Sequence, residues 1–340
     1  MSRSEFDLIY NCLAASGAVF DSDEVVCGIG DDAAQLRLAK DAVLNVSMDL
    51  LVEGVHFPVD SEPAAIAYRA LAVNLSDLAA MGARPIAFTL GLSLPDNDEN
   101  WLRLFGEGLT DLAKRYACPL IGGDVTRGPL SIAIQVHGST TGPGLRRSTA
   151  QIGDQILVSG SLGDGVAALS SFALPSHLDR QLRFNPERLD DADRDYLYDA
   201  FFKPEPRIGL GLNCAGLVNA AIDISDGLLG DVGHICKASQ LGACIELGSL
   251  PVSSALDTLL GADDAQLAAL LGGDDYELCL TAPEQNVQEL QKIAEQHNTR
   301  LTRVGQIEAD NGAEGGVRCV TASGEAVEMT LAAFEHFNRH

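Results

Sequence analysis

Apolar positions along this chain fall into two alternating rhythms. Runs that repeat every second residue, or are unbroken and short, occur at 43–48, at Phe88, Leu90, Leu92 and Leu94, and at Ile132, Ile134 and Val136. That spacing predicts strands. Between the first two lies an Ala/Leu-rich stretch, 63–81, closed by Gly82 and Pro85. Farther on, 98–117 sets Trp101, Leu104, Phe105, Leu109, Leu112 and Tyr116 near one helical stripe. Both segments predict helices. Around 141–147, "TGPGLRR", the texture turns glycine-rich and basic, which places a domain boundary near residue 150 and divides the chain into 1–150 and 151–340. The second part predicts strands at 155–159, 220–224, 244–247 and 277–280, and helices at 228–239 and 284–297. The charged stretch 178–199 reads as a solvated helical excursion. No repeat of 20–50 residues is visible, so solenoids are excluded.

Composition narrows the functional classes. At 340 residues, 46% hydrophobic and 5% aromatic, the chain can bury two sizeable cores. Its 48 acidic against 23 basic residues give a formal charge of −25, a field that repels nucleic acid and anionic membranes. Neither is expected as a partner. No apolar run reaches membrane length and the first residues lack a signal core, so a cytoplasmic location is expected. Eight cysteines without a C-x-x-C pair read as reduced, buried thiols.

The stretch "CGIGDDAA", 27–34, brings in chemistry. Gly28, Gly30 and Ala33 fit a dinucleotide-binding loop, but such a loop offers bare backbone N–H groups to phosphate, and Asp31 and Asp32 would repel it. A divalent cation between carboxylate and phosphate reverses the sign. The alternative is an Asp-rich surface turn. Further acids share a strand-end or glycine context: Asp49 closing "NVSMD", Asp77 in the apolar "AVNLSDLAAMG", and Asp124 after Gly122-Gly123. Asp223 and Asp226 bracket Ser225, and Asp274 and Asp275 follow a second Gly-Gly pair. Singly, each is a cap, turn or ion pair; together they point to phosphate bound through metal ions. A nucleophile elbow, an H-E-x-x-H helix and a P-loop are all absent. ATP, if bound, requires carboxylate-held metals in place of a P-loop lysine.

The segments "GIGDDAA" (28–34), "SMDLLVEGVHF" (47–57), "AVNLSDLAAMGARP" (72–85), "LIGGDVTRGPLSI" (120–132), "AIDISDGLLGDVGHI" (221–235) and "GGDDYELC" (272–279) resemble, in order, the motifs of bacterial thiamine-monophosphate kinases. That family belongs to the aminoimidazole ribonucleotide synthetase-like superfamily. The resemblance spans residues 5 to about 336. It implies an α/β plus α+β architecture, with an N-terminal sheet domain that forms a homodimer, a C-terminal α+β domain, and an active-site cleft between them.

The implied reaction is ATP-dependent, direct in-line phosphorylation of thiamine monophosphate to thiamine diphosphate. Asp31, Asp49, Asp77, Asp124 and Asp223 would hold several Mg²⁺ ions around the phosphates, with Ser47 and Met48 supplying oxygens and Asp226 a further ion. Gly123, Asp124, Arg147 and Ser225 would contact ATP. His56, Asp274 and Phe334 would meet the thiamine phosphate. Three positions depart from the family pattern: Met48 replaces the usual Thr, Asp274 a common Glu, and Phe334 an aromatic that often bears a hydroxyl. The rival readings are another ATP-dependent enzyme on the same scaffold and a non-catalytic sensor of Mg²⁺–nucleotide.

Overall fold

The computed structural model describes residues 9–172, 176, 178–179, 182–310, 312–313, 316–321 and 323–327, with side chains from residue 12 onward. Contacts divide the chain into two compact units, one of Met1–Leu78 with Ala83–Pro143, the other of Ala79–Gly82 with Gly144–His340.

The N-terminal unit comprises β1 (Val25–Cys27), β2 (Gln35–Leu36), β3 (Ala42–Val52), α1 (Pro63–Ala80), β4 (Arg84–Leu94), α2 (Glu99–Arg115), β5 (Leu120–Arg127) and β6 (Ser131–Thr141). Its four-stranded sheet has the order β3-β6-β4-β5. β6 is antiparallel to both β3 and β4, and β4 runs parallel to β5. Alternation separates the two faces. Ile132, Ile134, Val136, Leu90 and Leu92 are fully buried on one, while Val46, Met48 and Leu50 on the other face of β3 remain 50%, 57% and 51% exposed.

Local chemistry fixes the helices. Asp98 caps α2 by accepting the N–H groups of Asn100 and Trp101, and Lys114 and Arg115 sit in its last turn, where the helix dipole favours cations. A Cβ at Gly108 would lie 2.2 Å from the Ala64 carbonyl oxygen, so α1 and α2 approach at a distance only glycine allows. The β1–β2 pair is seated by Val25, Ala34, Leu36 and Leu38, which pack on Ile86, Ala87 and Ile121.

The C-terminal unit contains β7 (Gln155–Ser159), α3 (Asp164–Ser171), α4 (Asp191–Phe202), α5 (Ile208–Asn213), β8 (Ala220–Ile224), α6 (Leu228–Ser239), β9 (Gly242–Glu246), α7 (Ser254–Leu260), α8 (Ala262–Leu271), β10 (Glu277–Ala282), α9 (Val287–Gln296), β11 (Leu301–Glu308), β12 (Val317–Val320) and β13 (Ala326–Val327). The sheet order is β13-β12-β9-β11-β7-β10-β8, antiparallel except for β12 against β9. β7, β8 and β10 are buried along their whole length, which is why they read as continuous apolar runs. No described helix is long and apolar enough to cross a membrane.

Several expectations need correction. Over 178–199 no long solvated helix forms. α4 begins at Asp191 behind an Asp190 cap, and its Phe201 and Phe202 pack with Phe172 at ring distances of 5.5 and 5.4 Å. Leu197, Phe201 and Phe202 form a buried stripe that the surrounding acids conceal in the sequence. Asp49 does not end β3, which continues to Val52 because Leu50 to Val52 keep their pairing with β6. Asp124 lies inside β5, where the two glycines before it pair with Thr89 and Leu90. β11 was missed because Arg303, Gly305 and Gln306 interrupt its apolar pattern.

Candidate active site

Two elements of the N-terminal unit build the first group. The period of two along β3 turns Ser47 and Asp49 to the face α1 covers, and a helical spacing of three aligns Asn74 with Asp77. Ser47 Oγ donates to Asp77 Oδ2 at 2.6 Å, and the Asp49 N–H donates to Asn74 Oδ1 at 3.0 Å. Asn74 is anchored in turn by its Nδ2, which donates to the Ala70 carbonyl at 2.8 Å. Burial, and after it the charge of Asp77, pushes the Asp49 carboxyl up to about 6. Asn74 was overlooked in the sequence; its only signal is a polar residue three before Asp77 in an apolar helix. Met48 presents its side chain to the opposite, exposed face.

The second group lines a pocket of about 460 Å³. The loop between β1 and β2 contributes Gly28, Gly30, Asp31 and Asp32, and β5 contributes Gly122, Gly123 and Asp124. Asp31 and Asp124, far apart in sequence, are thus exposed in one concavity. Asp31 Oδ1 accepts the Asp32 N–H at 2.8 Å, a bond that holds the turn between them. Gly123 has φ 152°, and a Cβ there would lie 1.9 Å from the Leu90 carbonyl oxygen. Asp49, Ile134, Leu90 and Gly123 share one register row across the sheet. Asp49 and Gly123 therefore stand at opposite edges, roughly 14 Å apart at three strand spacings. The Asp49–Asp77 and Asp31–Asp124 sets are two distinct donor groups within this unit.

His56 follows β3, where the Val52 N–H donates to its Nδ1 at 3.0 Å. An accepting Nδ1 fixes the neutral ring with its proton on Nε2.

In the C-terminal unit β8 delivers Asp223, which is 4% exposed, to the segment preceding α6. Asp231, on the first turn of α6 and 2% exposed, accepts the N–H groups of Ser225 and Asp226 on its Oδ2 at 3.1 and 3.2 Å. Ligand atoms of Asp226, Asp231 and His234 all lie within 4.8 Å of one another. Burial, then the charges of Asp223 and Asp226, pushes Asp231 up to about 8. Asp231 and His234 were not singled out in the sequence; their spacing of three on a helix that starts just after "DISDG" is the signal.

The loop before β10 touches the same turn. The Asp274 N–H donates to the Ser225 carbonyl at 2.9 Å, and the Tyr276 hydroxyl donates to Asp274 Oδ1 at 3.3 Å. Asp274 and Tyr276 hold φ of 67° and 51°, strained for residues with a Cβ. Asp275 accepts from the Gly163 and Gly165 N–H groups at 2.8 and 3.1 Å, and burial raises its carboxyl well above the usual range. Arg147 is exposed, and its carbonyl accepts from Ser239 Oγ at 2.9 Å. Phe334 lies outside the described residues.

A second cavity of this unit, about 480 Å³, is flanked by Asp164 and Glu277. Both are already satisfied. Asp164 accepts from Ser161 Oγ, Tyr196 Oη and Ser253 Oγ at 2.6, 2.7 and 2.5 Å, and Glu277 pairs with Arg207. These groups hold the fold.

The raised carboxyls predict a pH dependence in metal-free protein. Asp49 and Asp231 keep their protons to higher pH folded than unfolded, where the ordinary value is 3.8. The native state therefore binds more protons than the unfolded one between these values, and stability falls from pH 3.8 up to about 6 for Asp49 and up to about 8 for Asp231, then levels off. Melting in EDTA is expected at a lower temperature near pH 8.5 than near pH 5, with the drop reduced in Asp231→Asn. A melting temperature that rises over this interval, or a drop unchanged by Asp231→Asn, contradicts the assignment.

Residues 30–142 match the model of the AIR synthase related protein N-terminal domain, and 151–318 that of its C-terminal domain. The molecule is accordingly a two-domain AIR-synthase-related protein. It is 45% identical to the thiamine-monophosphate kinase of Escherichia coli strain K12 over 315 residues, covering 92% of this chain and 93% of the relative. The Haemophilus influenzae thiamine-monophosphate kinase is 39% identical over 339 residues, 99% of each chain. The crystal structure of thiamine-monophosphate kinase from Stenotrophomonas maltophilia K279a superposes with a TM-score of 0.82 at 45% identity, over 96% of this chain and 99% of that one. AaThiL complexed with AMPPCP and TMP superposes with a TM-score of 0.74 at 26% identity, over 93% of each. The chain belongs to the thiamine-monophosphate kinase family.

Proposed function

We propose that this chain phosphorylates thiamine monophosphate to thiamine diphosphate at the expense of ATP, by direct in-line transfer, within thiamine diphosphate biosynthesis. Its relatives carry that activity in their names, and the related AaThiL was solved with AMPPCP and TMP. The observation in this chain that supports it best is the Asp49–Asp77 pair. Ser47 bonds the Asp77 carboxylate, Asn74 the Asp49 main chain, and the charge of Asp77 acts on the Asp49 carboxyl, an arrangement that a hard cation neutralises.

An oxygen of the substrate phosphate bonds to the γ-phosphorus as the bond to the β-bridging oxygen breaks, and ADP leaves. The nucleophile is already anionic, so the protein needs no strong base. Its task is alignment and charge compensation. Asp31, Asp49, Asp77, Asp124, Asp223 and Asp226, with Ser47 and the Met48 main chain, would hold Mg²⁺, whose double charge offsets phosphate repulsion when bound. All of these donors are hard oxygens, which fits Mg²⁺. Residues 1–150 supply the Asp31–Asp124 and Asp49–Asp77 sets together with Gly123. Residues 151–340 supply Arg147's neighbouring strand and the Asp223–Ser225–Asp226 turn. His56, Asp274 and Phe334 take the thiamine phosphate, with His56 Nε2–H in the tautomer that donates to a phosphate oxygen. The cytoplasm, where ATP is made, is its expected compartment.

The uncovered face of β3 supports a homodimer. Val46, Met48 and Leu50 are at least half exposed on one flat strand face, a costly arrangement in water that a second copy of the same sheet relieves. Leu50→Glu is expected to yield a monomer in light scattering; an unchanged mass rejects this surface.

The function is tested by incubating the protein with ATP, thiamine monophosphate and Mg²⁺ and following thiamine diphosphate and ADP. Equal formation of both, abolished by EDTA, is expected. Folded protein that binds Mg²⁺–ATP but forms no thiamine diphosphate overturns the proposal in favour of another acceptor or a sensor.

A further inference from the structure

The segment after β8 has an unusual anchor. Ser225 and Asp226 lie between β8 and α6, outside the span of either element. Their N–H groups are both taken by one oxygen, Asp231 Oδ2, at 3.1 and 3.2 Å. Asp231 is itself held by α6, where its N–H donates to the Gly227 carbonyl at 3.0 Å, and the residue is 2% exposed. Bonds from two successive amides to one buried acceptor oxygen hold the backbone of the turn. The far side of the turn is closed as well. Asp274 N–H bonds the Ser225 carbonyl, and a Cβ at Gly273 would lie 2.3 Å from that oxygen. Gly227, at φ 106°, lets the chain enter α6 directly after the turn.

We propose that Asp231 is a positioning residue for nucleotide binding, the group that fixes the backbone of Ser225 and Asp226 so that their side chains meet Mg²⁺–ATP in one orientation. This rests on the kinase reading above, in which Ser225 contacts ATP and Asp226 a metal ion. The role requires an acceptor oxygen at this position and does not require a charge. An isosteric amide retains the oxygen, while truncation removes the acceptor of both amides in this half-buried turn.

The test compares Asp231→Ala with Asp231→Asn in the full chain, wild type serving as the control for the kinase reading itself. If wild type makes no thiamine diphosphate, that reading fails; if wild type is active, the variants judge Asp231. Asp231→Ala is expected to raise the KM for ATP and the half-saturating Mg²⁺ concentration by about tenfold or more, the loss of two hydrogen bonds to a buried acceptor oxygen. The KM for thiamine monophosphate moves much less. Asp231→Asn is expected to restore both constants to within about threefold of wild type and to keep the Ser225 and Asp226 amides slow to exchange.

Unchanged ATP and Mg²⁺ constants in Asp231→Ala overturn the proposal. So does a fall in kcat that merely follows a lower melting temperature while both constants stay fixed. Asp231→Asn behaving like Asp231→Ala also overturns it, because the charge and not the acceptor would then be what matters. Where Asp231→Ala does not fold, Asp231→Asn decides alone. Near-normal constants with protected amides support the role, and a tenfold loss or fast-exchanging amides reject it.

Discussion

Asp49→Asn is expected to give a protein that melts higher in EDTA and turns over at least about 100-fold more slowly at saturating Mg²⁺, the usual scale for removing one group that compensates charge in a transition state. The two effects share one cause. In the absence of cations Asp49 is disfavoured by burial and by the neighbouring charge of Asp77, which is why its carboxyl is pushed up to about 6. Neutralising it removes a penalty on the order of 2 kcal/mol at neutral pH, once its partial solvent contact is allowed for. The bond that holds this stretch of β3 to α1 is made by the Asp49 N–H and survives the change. Stability therefore rises while the donor for the metal is lost, as happens where a site is built against the preference of the fold. Thermal melts in EDTA and steady-state ADP formation in Mg²⁺ measure the two effects on the same preparation. Undiminished turnover sinks the metal role of Asp49, and a lower melting temperature sinks the account of its burial.

Gly123→Ala is expected to be the most damaging single methyl group in the N-terminal unit. Its Cβ would meet the oxygen, carbon and nitrogen of Leu90 at 1.9, 2.8 and 2.9 Å, all of them backbone atoms of the adjacent strand β4. Nothing flexible can yield. The φ of 152° adds strain for any residue with a side chain. A loss of at least about 3 kcal/mol is expected, seen as a drop of several degrees in melting temperature or as insoluble protein. Gly122→Ala is the internal control, since its Cβ would lie 3.9 Å from the Thr89 methyl, an ordinary contact. It should stay within about 1 kcal/mol of wild type. Equal stability of the two variants would show that β4 and β5 do not approach as closely as this at Gly123.

Much of this protein was fixed by local pattern. The period-two runs at 88–94 and 132–136 and the stripe over 98–117 found their elements, because a residue's face in a strand or helix depends only on its spacing from its neighbours. Ordered motifs identified the family for a related reason: glycines beside carboxylates are chemically specific and stay adjacent in the chain. Where alternation was broken by polar or glycine residues, as in β11, or masked by surface acids, as in α4, the sequence misled.

Only the tertiary structure decided which acids meet. Asp49 and Asp77 stand together because β3 and α1 pack face to face, and Asp31 shares a pocket with Asp124 because Val25, Ala34, Leu36 and Leu38 seat a hairpin on β4 and β5. Asn74 and Asp231 could not be ranked beforehand, since each acts by accepting backbone N–H groups whose direction is set by packing. Spacing along the chain determines which face a side chain occupies, but only the pairing of faces determines its partners. A carboxylate's charge, donors and affinity for a cation follow from those partners.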